Sequence, residues 1–201
     1  MDSKTRKNNI IEAAGKVFSE KGYSVATVED IANAAGVAKG SIYNYFTSKQ
    51  ELFTALFLEM MEHDREAEEE IFVADLPASE KLARLMGRWL DRFDEYQHIG
   101  RLVLEFWTTA ASEEEGPFGS ELKRVYRQWH DSIRNIFQEG LDNGEFHLVI
   151  SPDEATRMLM ALFDGIGVQN MLGVGESFGH EHLDNLKKVI FDYLLGGGGN
   201  S

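Results

Sequence analysis

An all-α fold is predicted for this chain of 201 residues. Three observations predict it. Proline occurs only three times. Strand-like alternation of apolar and polar residues is nearly absent. One segment after another instead repeats apolar residues at i, i+3, i+4 and i+7, the spacing of an amphipathic helix. Hydrophobic residues make up 43% of the chain, enough for a real core, and the length suggests one or two domains. Cysteine is absent, so neither a disulfide framework nor a thiolate metal site is expected. There is no secretory leader and no apolar run approaching about 18 residues, which predicts a soluble, cytoplasmic protein with no membrane partner.

The first helix is expected from about Thr5 to Lys21, with Ile10, Ile11, Ala14, Val17 and Phe18 on its inner stripe and Gly22 at its end. Lys4, Arg6 and Lys7 at its front are read as a frayed, solvated end in preference to phosphate ligands. Thr27 then caps a second helix, with Asp30 three residues on completing a capping box. Val28, Ile31, Ala32 and Ala35 form its apolar stripe. Gly36 follows where the chain must turn left-handed. A further short helix, roughly Lys39 to Tyr45, buries Ile42 and Phe46 and leaves Lys39, Ser41, Tyr43, Asn44 and Tyr45 facing out. At about 1.5 Å per residue it is about 10 Å long, short enough to enter a major groove end-on. Two apolar helices around a glycine turn are common in ordinary bundles. The exposed lysines, glycine and tyrosines, with Lys49 beyond them, are what point to phosphates.

This stretch resembles the DNA-binding domain of the TetR family of bacterial transcriptional regulators. The resemblance is carried by Ala13-Ala14, Phe18, Gly22-Tyr23, Thr27-Val28, Ile31-Ala32, Ala35-Gly36-Val37, Lys39-Gly40-Ser41-Ile42-Tyr43, Tyr45-Phe46 and Ser48-Lys49-Gln50-Glu51-Leu52, and covers residues 7 to 55. It implies an N-terminal three-helix helix-turn-helix domain, residues 1–47, followed by a C-terminal helical ligand-binding and dimerisation bundle, residues 48–201. It also implies that Lys49 and Tyr43 hold phosphates, with Thr27, Lys39 and Gly40 beside them. Ser41, Asn44 and Tyr45 are then the candidates for reading bases. By the same resemblance the chain is a homodimeric repressor that leaves a palindromic operator in double-stranded DNA when a small-molecule effector binds. The net charge of −14 is unevenly spread. Residues 1–50 carry seven Lys/Arg against five Asp/Glu, so the remainder carries 13 against 29. A mildly basic tip on an acidic body binds DNA if the body faces away.

Ser48 with Glu51 opens the next helix, whose apolar face is Leu52, Phe53, Leu56, Phe57 and Met60. Its charged far end, His63 to Glu70, reads as a solvated face, and a break follows at Val73 to Pro77. Ser79 starts a stripe of Leu82, Leu85, Met86, Trp89, Leu90 and Phe93. Ile99, Leu102, Val103, Phe106, Trp107 and Ala110 repeat it after a turn near Tyr96–Gly100. Beyond a loop at Glu113 to Pro117, a long helix runs from Phe118 to Leu141 and closes at Asn143-Gly144. Ser151-Pro152-Asp153-Glu154 is a strong helix start. The helix after it is apolar on two sides. Met158, Leu159, Leu162, Phe163 and Ile166 are assigned inward, and Met160, Ala161, Val168 and Met171 outward. A last helix is expected from about Glu181 to Leu195, followed by a glycine-rich, flexible tail, 196–201.

No catalytic set is evident. The six histidines show no recognised ligand spacing, so no metal and no cofactor are expected, and an enzyme is not predicted. Alternatives from other classes are a helical protein-interaction module and a small helical enzyme. Trp89, Phe93, Tyr96, Phe106, Trp107, Tyr126 and Trp129 fall on inward stripes of three helices. Singly each is a core residue. Together, with Gln97 and His130 at the flank, they are the candidate ligand-binding residues. Charged residues are missing from the centre of these stripes, which favours a largely apolar effector. The second apolar face of the helix after Pro152 needs cover, so Met160, Asp164, Val168 and Met171, with Ile190 of the last helix, are the candidate dimer interface.

Overall fold

The computed structural model describes residues 3–96, 100–112, 116–174, 176 and 178–194. Among them there is helix and no strand. The α-helices are α1 (Ser3–Lys21), α2 (Val28–Ala35), α3 (Lys39–Ile42), α4 (Lys49–Val73), α5 (Ala78–Tyr96), α6 (Gly100–Ser112), α7 (Pro117–Asp142), α8 (Pro152–Leu172) and α9 (Leu183–Val189). A 3-10 turn, His180–His182, leads into α9, and a π-helical turn, Ile190–Leu194, follows it. The glycine-rich tail lies outside the described residues.

The chain forms two compact units. The first comprises Met1–Asp64 and His98–Leu122, the second Arg65–Gln97 and Lys123–Ser201. Packing therefore draws its line elsewhere than the functional division expected at 47/48, because α6 and the start of α7 belong with the first three helices.

In the first unit α1 buries Ile10, Ile11, Ala14, Val17 and Phe18, as its stripe predicts. Asn9 Nδ2 donates to the Ala35 carbonyl at 3.1 Å and ties α1 to the end of α2. Phe53 of α4 sits among aromatic neighbours, with ring centroids 4.2 Å from Tyr23, 4.7 Å from Phe106, 5.3 Å from Phe118 and 5.5 Å from Phe18. Burying one such ring contributes roughly 1.5–3 kcal/mol. This cluster is why the second half of the chain returns to the first unit.

In the second unit Leu82, Leu85, Met86, Trp89 and Leu90 of α5 pack with Ile133, Ile136 and Phe137 of α7, Leu159 and Phe163 of α8, and Leu186 and Ile190. The start of α5 is capped from a distance. The Glu145 carboxylate accepts the Ala78 and Ser79 N–H groups, each at 3.0 Å, and the Ser79 hydroxyl at 2.8 Å. These bonds hold its carboxyl below the usual glutamate range. At Gly140 an added Cβ would stand 2.1 Å from the Phe146 ring, so only glycine lets the chain after α7 fold back. The His63–Glu70 run, expected as a solvated face, is exposed at His63, Arg65, Glu66, Glu69 and Glu70, but Asp64 and Glu68 are fully buried. Charge content alone does not reveal which turn of a long helix faces inward.

Candidate nucleic-acid interface and ligand cluster

The helix-turn-helix forms as its sequence requires. Thr27 caps α2: its hydroxyl accepts the Asp30 N–H at 3.1 Å, and the Asp30 carboxylate accepts the Thr27 N–H at 3.0 Å and the Thr27 hydroxyl at 2.7 Å. Lys21 Nζ lies 2.6 Å from the other Asp30 oxygen. The Lys21 bond, then the Thr27 bonds, lower the Asp30 carboxyl to about 2. Gly36 turns the corner at φ 66°, ψ 33°, and the Val37 N–H reaches back to the Ala32 carbonyl at 3.0 Å. α3 is shorter than the expected Lys39–Tyr45. Tyr43 has ψ −10°, and the Tyr45 N–H bonds three residues back to Ile42, so the last turn tightens toward 3-10 geometry. Ser48 Oγ accepts the Glu51 N–H at 3.0 Å, and Glu51 takes the Thr47 N–H and hydroxyl, each at 2.6 Å.

Around this frame the expected DNA residues fall into two groups. Thr27, Lys39, Gly40, Tyr43 and Asn44 are exposed; Ser41, Tyr45 and Lys49 are half-buried. A Cβ at Gly40 would meet nothing within 4 Å, so the bare surface there serves no packing inside the chain. Lys39 Nζ is 3.6 Å from Glu29. Thr27's single hydroxyl proton is already given to Asp30, which leaves the open N–H groups of the first turn of α2 as donors there. Lys49 has a second role that spacing cannot show. Its Nζ donates to the Tyr23 carbonyl at 2.7 Å and the Ala26 carbonyl at 2.9 Å, and lies 4.5 Å from the centroid of the Tyr23 ring. Lys7 Nζ stands 5.6 Å over the Phe46 ring, just past α3, which brings a basic residue of α1 to this tip.

In the second unit four of the expected ligand residues form two ring groups, Trp89 and Phe93 with Phe163, and Tyr126 with Trp129. Trp89 meets Phe163 edge-on at 4.4 Å, and Phe93 lies 6.3 Å from the same ring. Tyr126 and Trp129 are 5.8 Å apart. Charged groups missed by the stripes enter here. Buried Glu68 accepts the Trp89 indole N–H at 3.0 Å and lies 3.5 Å from Arg92. The Arg92 guanidinium stands 4.9 Å over Trp129. Tyr126 donates to Asp164 at 3.2 Å, but burial still pushes the Asp164 carboxyl up. Phe106 and Trp107 lie on α6 in the first unit, Phe106 buried among Phe53, Phe57 and Phe118. His130 sits 3.2 Å from Asp153 at the start of α8. The side chain of Tyr96, and Gln97, lie outside the described residues.

Two families match successive parts of the chain. Residues 10–56 match bacterial regulatory proteins of the tetR family, and residues 78–193 match the C-terminal domain of BetI-type transcriptional repressors. The chain belongs to the TetR family of transcriptional regulators. Such proteins control transcription. It is 29% identical over 191 residues to the HTH-type transcriptional repressor DhaR of Mycobacterium sp. (strain GP1), covering 94% of this chain and 92% of that one. The structure of the regulator FadR from Bacillus subtilis in complex with stearoyl-CoA superposes with a TM-score of 0.71 at 25% identity, covering 94% of this chain and 98% of that one. A regulator from Saccharomonospora viridis in complex with choline gives 0.79 at 22% identity, over 96% and 97%.

In this TetR-family chain α8 is apolar on two sides: Leu159, Phe163 and Ile166 are buried and Ala161 is exposed as expected, but Met158 and Leu162, expected inward, face out. Ile190 is in the core and Met160 packs partly against it. Asp164 is bonded to Tyr126, and Val168 and Met171 are half-buried. Facing out are Met158 (50% exposed), Leu162 (39%) and Leu172 (62%), together with Val189 of α9 (52%). The physical cause is the lack of contrast between the faces: two apolar stripes fit the same 3.6-residue period, and only the partners in space choose between them.

Proposed function

We propose that this chain is a cytoplasmic, homodimeric repressor that binds a palindromic operator and is released by a small, largely apolar effector. The observation that carries the reading is the tip of the first unit: a capped α2, a left-handed glycine corner, and an α3 that leaves Gly40, Tyr43 and Asn44 open to solvent. Gly40 lets a sugar-phosphate backbone approach closely, and Lys49 and Lys39 supply positive charge beside it. The Trp89, Phe93, Trp129 and Phe163 rings support an effector with a substantial apolar part, and the stearoyl-CoA complex of the Bacillus subtilis relative agrees with that. Buried Glu68, with half-buried Arg92 and Asp164, adds a polar end to the site.

Two copies joined through the outward face of α8, with Met158, Leu162 and Leu172, would present two reading helices to a two-fold site, about 34 Å apart. Effector binding would favour a spacing of the heads that does not fit.

The test is selection of bound duplexes from fragmented genomic DNA, followed by a salt titration on the winning sequence. A palindromic site whose affinity falls steeply with salt is the expected result. Failure to enrich any sequence, or salt-independent binding, would sink the reading in favour of a protein-interaction module.

A further inference from the structure

The loop from Gly22 to Ala26, between α1 and α2, is held from two sides by side chains of other helices. From α6, the Glu105 carboxylate accepts the Tyr23 N–H at 2.5 Å. From α4, the Lys49 ammonium donates to the Tyr23 and Ala26 carbonyls. One residue, Tyr23, thus gives its N–H to an anion and its C=O to a cation, and its ring lies beneath that cation. Hydrogen bonds arranged in a chain polarise one another and strengthen together. Within the loop, Gly22 sits at φ 81° and its carbonyl accepts the Ala26 N–H at 3.0 Å, so the segment that presents both carbonyls to Lys49 is compact. An ammonium has three protons. Two are fixed here, which leaves a third as a donor for an anion.

We propose that Glu105 is a positioning residue for DNA binding, acting on Lys49 through the backbone of Tyr23. Glu105 fixes the peptide, the peptide and Ala26 fix the ammonium, and the ammonium meets the phosphate. Without the Glu105 acceptor, the Tyr23 N–H loses this partner, and the hold of the loop on Lys49 loosens. The loop ends at Thr27, so the same device also fixes where α2 begins. Glu105 and Phe106 are neighbours on α6: Phe106 anchors that helix in the aromatic core while Glu105 holds the loop. The inference rests on the DNA-binding reading above.

Two readouts on the full-length chain test it. The first needs no DNA: acetic anhydride labelling of the folded protein, followed residue by residue by mass spectrometry. Glu105→Ala is expected to raise labelling of Lys49 several-fold against exposed Lys16, whereas Glu105→Gln, which keeps an acceptor, leaves it near wild type. The second is a double-mutant cycle on the selected operator. Glu105→Ala should weaken binding about ten-fold, the scale of one lost charge-assisted hydrogen bond. Added to Lys49→Ala it should weaken binding no further, since the two act as a unit. Glu105→Met, of similar length and without the acceptor, replaces the alanine variant if that does not fold. Unchanged Lys49 labelling in a folded Glu105→Ala or Glu105→Met variant, or losses that multiply in the cycle, would overturn the proposal. A wild-type chain that binds no DNA would overturn the regulator reading instead, and the labelling would then decide the Glu105–Lys49 linkage by itself.

Discussion

α2 and α8 start and stop by the same devices. Each opens with a complete capping box, Thr27 with Asp30 and Ser151 with Glu154, and each closes on a left-handed glycine, Gly36 at φ 66° and Gly173 at φ 65°. Their flanks differ. α2 buries Ile31 and Ala32 and exposes no large apolar residue. α8 buries Leu159, Phe163 and Ile166 and still turns Met158, Leu162 and Leu172 to solvent. Caps fix the ends of a helix, and contrast between its faces fixes its rotation. α2 has both. α8 has only the first within its own sequence, and its rotation is decided by Trp89 and Phe93 of α5 against Phe163.

The largest expected effects separate the two faces of α8. Phe163→Ala should cost about 3–5 kcal/mol in urea unfolding, because it empties a site filled by two neighbouring rings. Met158→Glu with Leu162→Glu should leave helix content unchanged in circular dichroism and yield monomers in sedimentation at micromolar concentration. Monomeric wild type, or a doubly substituted chain that still dimerises, would remove this face from the interface. A loss of fold on changing Leu162, with none on changing Phe163, would reverse the rotation.

The same contrast explains what the sequence makes legible. The first helix stripe, the capped α2, the Gly36 corner and the start of α8 are all local, built from residues within about one turn of each other, and they stand where they were expected. What was hidden depends on partners far along the chain. Glu145 caps α5 from 66 and 67 residues away. Phe106 has the spacing of any inward aromatic, and nothing in α6 says that its partners are Phe53 and Phe118. The family resemblance implies that Lys49 is a phosphate ligand, and its two bonds to the 23–26 loop appear only when that loop and α4 are brought together. Glu68 lies in a run of acids, and only the Trp89 indole N–H marks it as buried.

Two glycines of α8 sharpen the comparison at a smaller scale. A Cβ on Gly167 would lie 2.9 Å from Cε1 of Phe93, while one on Gly165 would meet nothing within 4 Å inside this chain. Gly167→Ala should therefore force the Phe93 ring to shift and lower the urea midpoint. Gly165→Ala should raise it, adding up to about 1 kcal/mol of stability through helix propensity alone. If Gly165 instead faces a second copy closely, its alanine variant will weaken dimerisation, and sedimentation of the two variants side by side separates these outcomes.

The smallest effects come from two aspartates, one in each unit, whose environments act in opposite directions. Asp30 is held down to about 2 from its ordinary 3.8, first by Lys21 and then by Thr27. A depressed carboxyl favours folding above its unfolded value, and that contribution disappears as pH falls through the folded value. Asp30→Asn should therefore destabilise the first unit at neutral pH, by an amount that shrinks between about pH 4 and about pH 2, where the wild type loses the same charge. Asp164 is raised from 3.8 by burial, with the Tyr126 hydrogen bond and Arg92 opposing the shift. A raised carboxyl favours folding while protonated, below its unfolded value, and loses that contribution as pH rises through the folded value. Asp164→Asn keeps an acceptor for Tyr126 and removes the buried charge, so it should be more stable than wild type at neutral pH, with the advantage fading on acidification. Urea midpoints of the three proteins between about pH 2 and pH 7 check both signs. Parallel pH profiles for both variants would show that neither the capping box nor the Tyr126–Asp164 pair controls the local electrostatics, whereas profiles that diverge in opposite senses place each aspartate in its own environment.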